Sequence, residues 1–142
     1  MPSFLRFSFS LATAVVVASA TTWNLTWSDE FDVGIFPDPN SWNVAKNFTH
    51  CYPPDYCPEH QLYLQEAVTI QNGRLVITTK RKDVVGPEGQ KKHFTSGWID
   101  TAGLFSQKYG RFEANCSLPS KKSQGIWPAF WLLPTTLCWP TG

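Results

Sequence analysis

The stretch AVTIQNGRLVI, Ala67 to Ile77, sets Asn72-Gly73 between two runs rich in β-branched residues. Asn and Gly tolerate the positive φ that a tight hairpin turn demands. Gln71-Asn72-Gly73 is therefore expected to join two strands, carried by QLYLQEAVTI (61–70) and GRLVITTK (73–80).

The same alternation recurs outward from this hairpin. TTWNLTWSDEFD (21–32) sets Trp23, Leu25 and Trp27 against Asn24, Thr26 and Ser28, the period of a half-buried strand. RFEANCSLP (111–119) places Phe112, Ala114, Cys116 and Leu118 on one face. FTSGWIDTAGLFSQ (94–107) reads as a strand broken by glycines. VGIFPDPNSWNV (33–44), HCYPPDYCPEH (50–60) and DVVGPEGQKKH (83–93) read as connections, the last a polar loop. Lys80-Arg81-Lys82 and Lys91-Lys92 are expected at its two solvated ends. No segment has a convincing amphipathic helical period. Short strands with frequent turn signals point to an all-β protein, an antiparallel β-sandwich or barrel.

Bulk composition narrows the function. The chain has 142 residues, and its formal net charge of +1 gives no electrostatic case for nucleic acid or an anionic membrane. Aromatic residues make up 15%, with seven tryptophans, which marks a chain rich in flat rings.

The N-terminus MPSFLRFSFSLATAVVVASA carries Arg6, then an apolar run, then Ala18-Ser19-Ala20. This is the pattern of a secretory signal peptide over residues 1–20, cut after Ala20. The expected location is extracellular, with no membrane association once the signal is removed. In an oxidising compartment Cys51, Cys57, Cys116 and Cys138 are expected to form disulfides rather than metal sites. Three pairings exist. Cys51–Cys57, closing the proline-bearing loop CYPPDYC, is the favoured one. Cys116 and Cys138 are left to pair with each other or with residues beyond. Asn24, Asn47 and Asn115 stand in N-x-S/T sequons and are candidate glycosylation sites.

GIWPAFWLLP (125–134) is too interrupted by Gly125, Pro128 and Pro134 to hold a helix. As a strand it turns Trp127, Ala129 and Trp131 to one face and Pro128, Phe130 and Leu132 to the other. Alternation at about 3.3 Å per residue would set the indoles roughly 13 Å apart. Two flat rings around a small residue make a platform for the apolar face of a pyranose.

Together these stretches resemble glycoside hydrolase family 16, of the laminarinase (endo-β-1,3-glucanase) type. The matching pieces are WSDEFD, EHQLY, NGRLVITTK, TSGWIDTAGLFSQKYGRFEA, GIWPAFWLLP and WPTG, in family order. The resemblance implies a jelly roll, concanavalin A-like, incomplete over residues 21–142 because only the N-terminal part of the domain is covered. It implies a concave glucan cleft lined by Trp127 and Trp131, with Trp139 either at its rim or in the core. It further implies a strand E-I-D-x-x-E directly after WPTG, whose glutamates cleave the glycosidic bond with retention. No catalytic residue is therefore assigned within the chain, and the pair is expected just beyond Gly142. Pro58 and Leu62 depart from the asparagine and tyrosine that family members often carry near this end of the cleft.

By the same resemblance Glu30 and the backbone of Gly73 are candidates for a structural calcium site, and no cofactor is required. Asp29, Asp32, Glu59, Glu66 and Glu113 are read as structural or solvated carboxylates. The expected partner is a β-glucan polysaccharide or oligosaccharide, and the complete protein is expected to be a monomer. A non-catalytic β-1,3-glucan recognition protein of the same fold is the alternative function. A transglycosylase of the same family shares the expected glutamates.

Overall fold

The computed structural model describes residues 22–49, 59–120 and 124–135. Among these the strands are, in chain order, β1 (Asn43–Val44), β2 (Gln61–Tyr63), β3 (Val68–Ile70), β4 (Leu75–Ile77), β5 (Lys80–Val85), β6 (Lys91–Ser96) and β7 (Ile99–Asp100). A 3-10 turn, Gln65–Ala67, links β2 to β3, and no α-helix occurs among the described residues.

The hairpin forms where the sequence places it. β3 and β4 pair antiparallel, with Val68 opposite Ile77 and Ile70 opposite Leu75. Asn72 and Gly73 both have positive φ, 53° and 67°, the sign pattern of a type I′ turn. Gln71 N–H closes it on the Arg74 carbonyl at 2.9 Å.

The segment expected as a polar loop, 83–93, is instead mostly strand. β5 and β6 pair antiparallel around a turn in which Gly86 N–H donates to the Gln90 carbonyl. The basic residues are ladder members rather than loop ends: Lys80 faces Thr95, Arg81 faces Phe94, and Lys91 faces Val85. Turn residues and charges masked the pairing, because an edge strand such as β5 is tolerated with a polar sequence. Between Arg81 and Val84 the register slips, so that Lys82 and Asp83 oppose His93 in a β-bulge. His93 and Asp83 bond across it at 2.7 Å.

β6 is central in the sheet β2-β6-β5. Its pairing with β2 is parallel, unlike the antiparallel pairs β1–β7, β3–β4 and β5–β6. Parallel neighbours require a crossover, and here the β3–β4 hairpin and β5 supply it. The other side of β2 takes an antiparallel bridge from Phe48 to Tyr63.

The core lies where these pieces meet. Leu62, Ala67, Val68 and Ile70 are buried, with Val68 wholly inaccessible. Burying a side chain of that size contributes about 1.5–3 kcal/mol. Gly97, just after β6, lies directly on this core. A Cβ there would stand 2.5 Å from Val68 Cγ2 and 3.1 Å from Ile77 Cγ2.

Three expected strands do not appear as ladders. In residues 21–32 the described part forms no strand and pairs with no neighbour. Trp23 and Leu25 are 57% and 81% exposed, and only Trp27 tucks in. Residues 111–119 and 125–133 are likewise unpaired and exposed. Phe130 and Leu132, expected to face a core, are each 60% exposed. Alternation specifies which face would be buried, but a strand also needs a neighbour for its N–H and C=O groups. Among the described residues none reaches these segments.

Replacing Gly97 by Ala should destabilise the chain by about 1–3 kcal/mol through overpacking against two stiff β-branched side chains. A urea unfolding midpoint equal to the parent's would contradict the close contact.

Candidate functional site

The rings gather into two clusters. In the first, Trp27 stacks on Phe105 (5.2 Å, 19°) and meets Trp42 edge-on, and Phe31 leans on Trp42. Asp29 closes this cluster. One carboxylate oxygen accepts the Phe31 backbone N–H, and the other accepts the Trp42 indole N–H, each at 2.8 Å. A carboxylate so engaged is structural, in line with the reading of Asp29.

The second cluster joins Phe48, Tyr63, Trp98 and Trp131. Tyr63 and Phe48 meet the Trp98 ring edge-on at 5.5 and 6.1 Å. Trp131 meets it at 5.6 Å and 79°. The cluster is graded in exposure: Tyr63 is buried, Phe48 and Trp98 half-buried, and Trp131 51% exposed. Trp127 lies further out at 92%.

A polar frame holds the buried end. Gln61 Nε2 donates to the Tyr63 hydroxyl at 2.9 Å, and that hydroxyl donates to Glu59 Oε1 at 3.1 Å. Lys92, buried although charged, donates from Nζ to the Glu59 carbonyl. Burial pushes the Tyr63 phenol up to about 12. The hydrogen bond from Gln61 works against this, and the Glu59 charge adds to it. The Trp98 indole donates to Asp100 Oδ2 at 3.0 Å, and Asp100 Oδ1 accepts from Asn43 Nδ2 and Ala102 N–H at 2.9 Å.

Of the residues singled out from sequence, Trp131 belongs to this second cluster, and Trp127 stacks on no ring among the described residues. Trp139, Cys51 and Cys57 lie outside the described residues. Cys116 is exposed and has no disulfide partner among the described residues. Asn24, Asn47 and Asn115 are all exposed, Asn47 with a positive φ of 57°. Glu113 pairs with Arg111 at the surface.

Glu30 is exposed, and the Gly73 turn abuts the backbone of Asp32, 4.0 Å from where a Cβ would stand. No three His, Cys, Asp or Glu side chains gather among the described residues. Glu30 and Gly73 alone do not supply the six to eight oxygens calcium takes. Leu62 is buried in the core rather than turned to a cleft.

Sequence reasoning missed Trp98, Asp100, Asn43 and Tyr63 as parts of one arrangement. The polar–aromatic pattern of TSGWID was its only signal. Two concavities open elsewhere, one along Thr69, Thr78, Lys80 and Lys82, the other between Asp29–Pro39 and Ile70, and neither includes a ring of the second cluster. That cluster is an open aromatic surface. Indole faces with hydroxyls and amides nearby suit the apolar faces and rim hydroxyls of sugars.

Comparison with known proteins agrees with this chemistry. The β-glucanase of Rhodothermus marinus is 35% identical over 115 residues, covering 81% of this chain and 37% of that protein. The catalytic domain of an endo-1,3-β-glucanase (laminarinase) from Thermotoga petrophila superposes with a TM-score of 0.52 at 33% identity, over 63% of this chain and 35% of that one. These likenesses bear out the resemblance of the chain to the family 16 glucanases. It spans little more than a third of the length of either of these two glucanases. The clotting factor G alpha subunit of Tachypleus tridentatus is 36% identical over 111 residues, covering 78% of this chain and 15% of that protein. No family model matches. The all-β architecture fits the jelly roll of the family 16 glucanases.

The raised pKa of Tyr63 has a definite sign. The fold favours the neutral phenol, so its contribution to stability is complete below 10.0 and is lost as pH rises through about 12. Tyrosinate absorbance should therefore show one late-titrating tyrosine that Tyr63→Phe removes. A titration unchanged by that substitution would contradict the buried placement.

Proposed function

We propose that the chain forms part of the glucan-binding face of a secreted β-glucan hydrolase acting on internal β-1,3 bonds with retention. The observation that carries this reading is the exposed indole run Trp127 to Trp131, anchored inward on Trp98. The names of the Rhodothermus and Thermotoga proteins support it. Residues 1–20 act as the secretion signal, and Asn24, Asn47 and Asn115 are open to glycosylation.

Retaining hydrolysis needs two carboxyl groups about 5–5.5 Å apart across the scissile bond. The carboxylates of Asp29, Glu59, Asp83, Asp100 and Glu113 already hold structural partners. By the resemblance to family 16, bond cleavage is assigned to carboxylates other than these five, and sugar binding to the exposed rings.

A second reading is β-1,3-glucan recognition without cleavage. The Tachypleus relative favours it, since its name is that of a clotting factor subunit rather than a glucanase.

Both readings predict that the chain is retained on insoluble β-1,3-glucan. Trp127→Ala and Trp131→Ala should each weaken retention roughly three- to tenfold, the loss of ~0.5–1.5 kcal/mol of ring contact. Retention equal to the parent's in both variants would contradict the platform. Reducing-sugar release from laminarin separates cleavage from recognition.

A further inference from the structure

The second ring cluster leans on one carboxylate, that of Asp100. Asn43 and Asp100 are directly opposite each other in the β1–β7 pair. From this register Asn43 Nδ2 donates both to Asp100 Oδ1 and to the Ala102 carbonyl, at 2.9 and 2.8 Å. Ala102 N–H donates to the same Asp100 oxygen at 2.9 Å. The other oxygen, Oδ2, remains for the Trp98 indole N–H at 3.0 Å. The carboxylate is thus fixed in rotation by donors on both oxygens, and it fixes the indole in turn. Trp98 is further wedged by Tyr63 and Phe48 and presents its ring to Trp131 at 79°.

Among the described residues Trp131 meets one ring, that of Trp98, and it sits in a segment without ladder hydrogen bonds. Trp98 is thus the ring that braces Trp131 among the described residues. A ring held in place before the sugar arrives loses less conformational freedom on binding than one that must be ordered by it.

We propose that Asp100 and Trp98 are the positioning pair of the glucan platform: the carboxylate locks the Trp98 indole, and that indole sets the Trp131 ring for the sugar. This rests on the glucan-binding reading above. Asparagine cannot replace Asp100, because it offers one acceptor oxygen where donors approach both. In either amide orientation an NH2 group faces an N–H donor. Trp98→Phe keeps a ring but removes the N–H that Asp100 holds.

The test uses the full chain and soluble laminarin, with affinity from titration calorimetry and ring geometry from near-ultraviolet circular dichroism. In Asp100→Asn the exciton signal of the Trp98–Trp131 pair should fall, and the laminarin Kd should rise about two- to tenfold, the scale of having to order one side chain on binding. Trp27→Phe, in the other cluster, should leave the Kd unchanged. A parent-like signal and Kd in Asp100→Asn, with binding lost in Trp131→Ala, overturns the positioning role and leaves the glucan reading standing. A parent chain without affinity for laminarin overturns both. Should Asp100→Asn fail to fold, Trp98→Phe takes its place, and a parent-like Kd there overturns the proposal.

Discussion

The close approach of the Gly97 backbone to Val68 and Ile77 is the contact on which the rest of the structure depends. It seats the exit of β6 on the fully buried Val68, and everything around it radiates from that seat. Upstream, β6 pairs with β5 on one side and β2 on the other. Downstream, Trp98 enters the ring cluster and β7 pairs with β1. Residues 94–100 thus touch each of the three small sheets. A side chain at position 97 would force the core and the ring cluster apart together, so stability and the candidate site share one origin.

The sequence was most legible where structure is local. Asn72-Gly73 dictates its hairpin through φ alone, and the register of β3 and β4 follows. Legibility fell where pairing is distant. The parallel partnership of β2 with β6 joins Gln61 to Phe94 across an intervening hairpin, and no local pattern encodes it. The β5–β6 pair was hidden by its lysines, since an edge strand does not need the apolar face that marks a central one. Conversely, the alternation in residues 111–119 and 125–133 was real as a pattern yet gave no strand, because alternation does not supply a ladder partner.

The candidate site shows the same division. Trp127 and Trp131 stood out by type and spacing, and both are exposed. Their support did not stand out. Trp98 and Asp100 lie two residues apart, but their joint meaning comes from Asn43, brought across by the β1–β7 pair. The other ring cluster shows why indoles alone do not define a site. Trp27 and Trp42 are as close to neighbouring rings, yet Asp29 and Phe105 turn them into a clasp between the N-terminal segment and the 101–105 loop. Exposure and the direction of the polar anchors, rather than ring count, separate the surface that can meet a sugar from the one that holds the chain together.

The most direct measurement of that separation is a two-dimensional NMR titration of the tryptophan indole N–H signals with a soluble β-1,3-glucan oligosaccharide. The account predicts shifts for Trp127, Trp131 and the adjoining Trp98, with Trp27 and Trp42 unmoved. Shifts confined to Trp27 and Trp42, or no shift at saturating sugar, would contradict it.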